Sequence, residues 1–235
     1  MTRLLRVAFL SLFLLTFYQI FGQDIRYARN VIDTLSSPYM EGRGYVNHGD
    51  RKAAGYLAGQ FGSAGLLPFF ADYFQPYSFP MNTFPGKVEV SVDGKKLVPA
   101  REFLVTASSP AIDGTFRIQP LTGKKISNPK KLNRFIRKNH HGKMVLIDKK
   151  GIEDKRTLSV LDSLKNTNLH NAAGLIFAED KKLTWSVMAG ASVKPFPVVE
   201  IKRVCLPRNS KKIKITVENE FIDKYQTQNV LGFIK

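Results

Sequence analysis

The apolar residues of this chain change period at Tyr73, and that switch divides it into a helical front and a strand-rich body. Before it, Ile25, Ala28, Val31, Ile32 and Leu35 recur at the spacing of one helix face, and Ser36-Ser37-Pro38 closes the pattern. Ala54, Leu57, Ala58 and Phe61 repeat that spacing. Gly65-Leu66-Leu67-Pro68 then places Gly just past the helix and Pro shortly after, both stop signals. A glycine-rich loop, Glu41-Gly42-Arg43-Gly44, lies between the two. After Tyr73 the period is two: Val88, Val90 and Val92 alternate with Glu89 and Ser91, and Asp93-Gly94 turns the chain into Lys96-Leu97-Val98.

The body continues with Ser127-Asn128-Pro129 opening a short helix that carries Leu132, Phe135 and Ile136. Three apolar runs have the length of buried strands: Met144 to Ile147, Ala172 to Phe177 and Phe196 to Ile201. A helix around Leu158, Leu161 and Leu164 separates the first two. Ile213, Ile215 and Val217 alternate again, and Gln228 to Ile234 reads as a last strand. The pattern predicts an α+β fold, with two N-terminal helices and then a β-rich domain with inserted helices.

The 235 residues are 43% hydrophobic and 23% charged, which excludes a disordered or fibrous class. Arg3 and Arg6 precede an uncharged run from Val7 to Phe21, shorter than the ~20 apolar residues of a spanning helix. A secretory signal over 1–22 is expected, with no transmembrane segment after its removal and a secreted or periplasmic protein as product. Cys205 is the sole cysteine, so the chain forms no disulfide within itself, and a buried residue on a strand is its expected place. The net charge of +17 invites an anion- or nucleic-acid-binding reading. The lysine pairs, Lys124-Lys125 and Lys130-Lys131 among them, read as separate solvated loop positions without interleaved aromatic residues, so no nucleic acid is expected.

The stretch from Leu35 to Pro68 runs Leu-Ser-Ser-Pro-Tyr-Met-Glu-Gly-Arg-Gly, then Ala53-Ala54-Gly55-Tyr56, Phe61 and Gly65-Leu66-Leu67-Pro68. It resembles the opening of secreted family-28 metallopeptidases, which are two-zinc aminopeptidases. Gly142 to Asp148, Ala172 to Phe177 and Phe196 to Val199 are similar to the marker strands of the protease-associated insert in that family. Gln228-Asn229-Val230-Leu231-Gly232-Phe233-Ile234 resembles the first strand of its catalytic domain. The resemblance implies 23–72 as a helical lead-in and 73–222 as a protease-associated domain. It makes 223–235 the start of an absent α/β zinc-peptidase domain, its first strand left alone.

The family's metal ligands follow that strand. The resemblance therefore implies zinc and a peptide or protein substrate for the full-length parent, and assigns no catalytic, cofactor-binding or metal-ligating residue to this chain. The expected function is the non-catalytic front of such an enzyme, shaping substrate access. A stand-alone exported binding module of protease-associated type is the alternative, and a basic anion-binding protein the third.

Side chains that imitate chemistry have plainer explanations. His48-Gly49-Asp50 copies a His-x-Asp pair, but Asp50 suits the first turn of the second helix. His140 and His141 are neighbours that face apart, and a solvated turn is their expected setting. His170 sits near a helix end. Glu41 and Arg43 either shape a substrate end or fix their loop as an ion pair. Trp185 is open to both a buried and an exposed reading.

Overall fold

The structure, a computed structural model, describes residues 24–168, 171–185 and 192–235. The expected signal segment and His170 lie outside the described residues. The chain forms two compact units, one reaching Leu67 and including Ile234–Lys235, the other spanning Pro68–Phe233.

In the first unit, helix α1 spans Ile25–Leu35. The Asp24 carboxylate accepts from the Arg26 and Tyr27 amides at 2.9 and 3.2 Å and so caps two of its free donors. Two short 3-10 segments, Pro38–Arg43 (kinked at Glu41 and Gly42) and Val46–His48, lead into α2, Gly49–Ser63. Its buried side is made of small residues, Ala53, Ala54 and Ala58, near the buried Met40. The Tyr27 hydroxyl donates to Gln60 Oε1 at 2.9 Å and links the two helices. None of α1 is fully buried. Of the apolar stripe expected of this helix, Val31 and Leu35 are half-buried within this unit, while Ile25 and Ile32 are exposed.

The two-residue strand β1, Leu67–Pro68, precedes the second unit's elements: β2 Phe74–Thr83, β3 Val88–Val92, β4 Lys95–Lys96, β5 Phe103–Val105 and β6 Ile112–Leu121. Then come α3 Gly123–Ile126, α4 Pro129–Ile136, β7 Lys143–Asp148, α5 Lys155–Ser163 and β8 Gly174–Glu179. β9 Val198–Lys202, β10 Lys212–Val217, β11 Glu220–Val230 and β12 Gly232–Phe233 complete the order. Eight strands form one sheet in the order β4-β3-β10-β6-β7-β8-β9-β5. The central run from β6 to β9 is parallel, and every pairing outside it is antiparallel.

The sheet must curl. Laid flat, seven strand spacings would hold its edges about 34 Å apart. The chain from Lys96 at one edge to Phe103 at the other reaches at most about 25 Å. Closing that gap brings Val90 and Leu97 into one buried cluster with Phe103, Met144, Ile176 and Ile201. On the other face Val145, Ile147, Leu175 and Phe177 pack beneath Ile126 of α3, Phe135 of α4 and Leu161 of α5. Residues alternate between two cores along β7 and β8, so Met144–Ile147 and Leu175–Ala178 are apolar without the polar alternation of a half-exposed strand.

Two expectations are corrected here. The strand at the end of the chain is not alone: β11 is one antiparallel partner of β2 through Asn229↔Gln75 and Val230↔Phe74. It runs unbroken past residue 222, with a register shift between Ile222 and Tyr225. Cys205 is buried as expected, but it ends a 3-10 turn, Arg203–Cys205, and is not on a strand. Among the described residues no helix is long and apolar enough to cross a membrane.

Candidate functional site

The loop before α2 is the most strained part of the first unit. Glu41, Arg43, Asn47 and His48 all hold left-handed backbone, a conformation that costs non-glycine residues energy. Packing enforces it: the Asp50 amide donates to the Gly44 carbonyl at 2.9 Å, and a Cβ on Gly49 would lie 2.5 Å from the Met40 carbonyl oxygen. Asp50 occupies the first turn of α2, as expected. Glu41 and Arg43 do not pair with one another. Glu41 approaches Lys52 at 3.9 Å, while the Arg43 guanidinium donates to the Leu35 carbonyl at 3.1 Å. Arg43 thus answers a carbonyl left open at the end of α1.

In the second unit, ion pairs gather where β7 and β8 end. Arg203 pairs with Asp148 and, at 2.7 Å, with Asp180, and burial lowers its pKa. Lys149 meets Asp162 at 2.9 Å and Glu179 at 3.6 Å. Burial pulls its ammonium down, yet the two carboxylates outweigh that and raise the pKa above the ordinary lysine value. Lys165 holds Glu200 at 2.5 Å and lies 4.9 Å from the Phe177 ring centre. Charges here are matched, which is the behaviour of structural pairs. Trp185, undecided from sequence, is 66% exposed.

The α3–α4 region is different. His140, expected in a solvated turn, is 2% exposed: its ring stacks on Phe135 at 4.4 Å, with Nε2 3.0 Å from the Phe135 carbonyl. His141 beside it is exposed, so the pair does face apart. Next to this stack opens a hollow of about 250 Å³ bounded by Lys125, Lys131, Arg134 and Lys138. Lys125 donates to the Pro120 carbonyl at 2.6 Å, and its pKa is lowered by burial and then by the like charge of Lys138. The expectation of scattered loop lysines is corrected: Lys125, Lys130 and Lys131 lie on helices, and Lys125 and Lys131 converge on this one hollow. In the sequence the pairs look independent of one another. The missed signal was the absence of any carboxylate between Asp113 and Asp148.

Zinc, implied by the resemblance, is poorly served by these residues. Among the described residues no three His, Cys, Asp or Glu side chains come together to hold a metal, and no step is derived through one.

No protein-family model and no curated protein matches the sequence. Solved structures do match. BSAP, a zinc aminopeptidase from Bacillus subtilis, superposes with a TM-score of 0.50 at 17% identity, covering 88% of this chain and 46% of that one. The aminopeptidase from Aneurinibacillus sp. strain AM-1 gives 0.49 at 20% identity, over 87% and 47%. A peptidase M28 precursor from Shewanella amazonensis SB2B gives 0.47 at 15% identity, over 77% and 44%. The chain therefore spans about half the length of the structures it resembles, and the likeness to BSAP is one of fold.

Proposed function

We propose that this chain is the non-catalytic front of an exported two-zinc aminopeptidase, with its curled-sheet unit bordering substrate access to a catalytic domain supplied by further sequence. The fold likeness to BSAP, over 88% of this chain but only 46% of that enzyme, carries the reading. The Leu35 to Pro68 pattern supports it independently, because it lies in the helical unit rather than in the sheet. In such a parent, zinc held by residues of the catalytic domain would supply Lewis-acid activation for peptide hydrolysis. This chain's own residues take no part in that step.

The test compares the chain with the product of its reading frame extended past Lys235. The extended protein should carry a His-x-Asp and a Glu-Glu shortly after Lys235 and should cleave aminoacyl-anilides, while the chain as given should not. Turnover by the chain alone, or an extension without those residues, would refute the proposal. One observation favours a second reading, a self-sufficient exported binding module: Asn229 and Val230 are already paired to Gln75 and Phe74.

A further inference from the structure

Between Asp113 and Asp148 the sequence has no carboxylate, while lysine and arginine recur throughout. The fold concentrates those charges. On α4 and the turn after it, Lys131, Arg134 and Lys138 follow helical spacing and face the inner hollow with Lys125. Lys130, Arg137 and Asn133 join Arg134 and Lys138 around a second, more open hollow of about 610 Å³. Arg134 and Lys138 are therefore the wall between two adjoining basic depressions. Among the described residues, the ion pairs elsewhere in this unit match lysine or arginine to acid, and none includes these cations. Lys130 and Lys131 even occupy the first turn of α4, where the helix dipole disfavours positive charge. Arg134 lies in the last turn, where a cation is favoured, but the first-turn lysines and the like charges of Lys125 and Lys138 work against the folded arrangement, the pattern expected of a site kept for a ligand.

The geometry points to a ligand with at least two adjacent phosphate-type groups, as at the end of a soluble polyphosphate chain. One group sits in the inner hollow, and the next crosses the Arg134–Lys138 wall. A lone carboxylate would bring one negative charge to four cations, whereas a terminal phosphate brings nearly two and several acceptor oxygens. Arg134 can bridge neighbouring groups because its planar fork carries several donors. Gln119, on β6 at the hollow's edge, adds a neutral amide. Nucleic acid fits less well. Phe135 is 6% exposed, with His140 stacked on it and the Lys125 ammonium 5.3 Å from its ring centre, so the hollow has no open aromatic platform for a base. This inference does not depend on the peptidase reading.

Isothermal titration of the full chain with orthophosphate, tripolyphosphate and a short single-stranded oligonucleotide tests it. Tripolyphosphate should bind at least about tenfold more tightly than orthophosphate. Arg134→Gln and Lys138→Gln should each weaken it by about tenfold, and the double variant Lys181→Gln/Lys182→Gln by no more than about twofold. Arg134 and Lys138 are exposed, and unchanged circular dichroism would verify that their variants fold. Equal losses in all variants would reduce the effect to the net charge of +17 and overturn the proposal. Equal affinity for the two phosphates would do the same. So would an oligonucleotide that outbinds tripolyphosphate with the same dependence on Arg134.

Discussion

Asn82 gives the sharpest test of how the β2–β11 ribbon is fastened to the curled sheet. It lies on β2, paired with Phe221, and is 6% exposed. Its amide nitrogen donates to the Ala107 and Ser109 carbonyls, both at 2.8 Å, and its oxygen accepts from Asn219 Nδ2 at 2.7 Å. Ser109 is fully buried, and its hydroxyl oxygen accepts from the Val198 amide at 3.0 Å at the start of β9. Asn82→Ala leaves one buried carbonyl unanswered, about 1–3 kcal/mol, and loses two half-exposed bonds worth about 0.5–1.5 kcal/mol each. A loss of about 2–6 kcal/mol is expected, read as a lower urea midpoint at unchanged slope.

Asn82→Asp keeps the shape but turns the donor into a charged acceptor facing two carbonyls, and should cost more than alanine near neutral pH. Burial and those carbonyls favour the protonated acid, so its folded pKa rises above the unfolded value of about 3.9. Between those two values the folded state binds more protons, and stability falls as pH rises. The aspartate variant should therefore recover ground on the alanine variant when urea melts are repeated near the unfolded pKa. A change within about 0.5 kcal/mol for Asn82→Ala would refute the reasoning. So would an aspartate variant that tracks alanine at every pH.

Glycine substitutions should split by environment. Gly55→Ala on α2 meets nothing within 4 Å and should stabilise the helix by about 0.5–1 kcal/mol, whereas Gly49→Ala meets the Met40 carbonyl and should destabilise it, both read by thermal melting. Gly174→Ala would place its Cβ 2.7 Å from the Pro197 carbonyl oxygen and 2.9 Å from Met144 Sδ, and should cost about 3 kcal/mol in urea titration. Hydrogen exchange should be fastest in α1, which buries no residue, and slowest at Val145 and Ile176; equal protection would mean that α1 has a cover after all. After dialysis, metal analysis should find no stoichiometric zinc on the chain. One or two retained equivalents, lost in His48→Ala, would contradict this.

Much of the fold was legible because each element carried its own local signal. Asp93-Gly94 adopts positive φ at both residues, the turn that a tight hairpin requires, and Asn128 caps α4 through the Lys131 amide at 3.0 Å. The runs at Met144 and Ala172 became strands between two cores, where continuous apolarity is required. What escaped were facts of pairing between distant segments. Nothing near Gln228 announces that β2 lies beside it, because a strand's partner is fixed by topology and not by its own alternation. His140 was misplaced for a related reason. Its polarity suggests solvent, yet Phe135 five residues earlier offers both a ring face and a carbonyl.

The basic hollow follows from the same architecture. β6 and β7 are parallel neighbours, so the chain leaving Leu121 must return along the sheet to start again at Lys143. That crossover buries one stripe, Ile126 and Phe135, against Val145 and Ile147. Leu132 and Ile136 pack partly against that core and Lys125 bonds the Pro120 carbonyl of β6, but Lys130, Lys131, Arg134 and Lys138 are exposed. Solvation alone would be served by mixed charges, as on the ion-paired end of β7 and β8, where Asp148, Asp162, Glu179 and Asp180 answer Arg203 and Lys149. Two exposed surfaces of one sheet thus carry opposite charge policies. The crossover is the one whose composition burial and solubility leave unexplained, and this is why a ligand, rather than the fold, accounts for it.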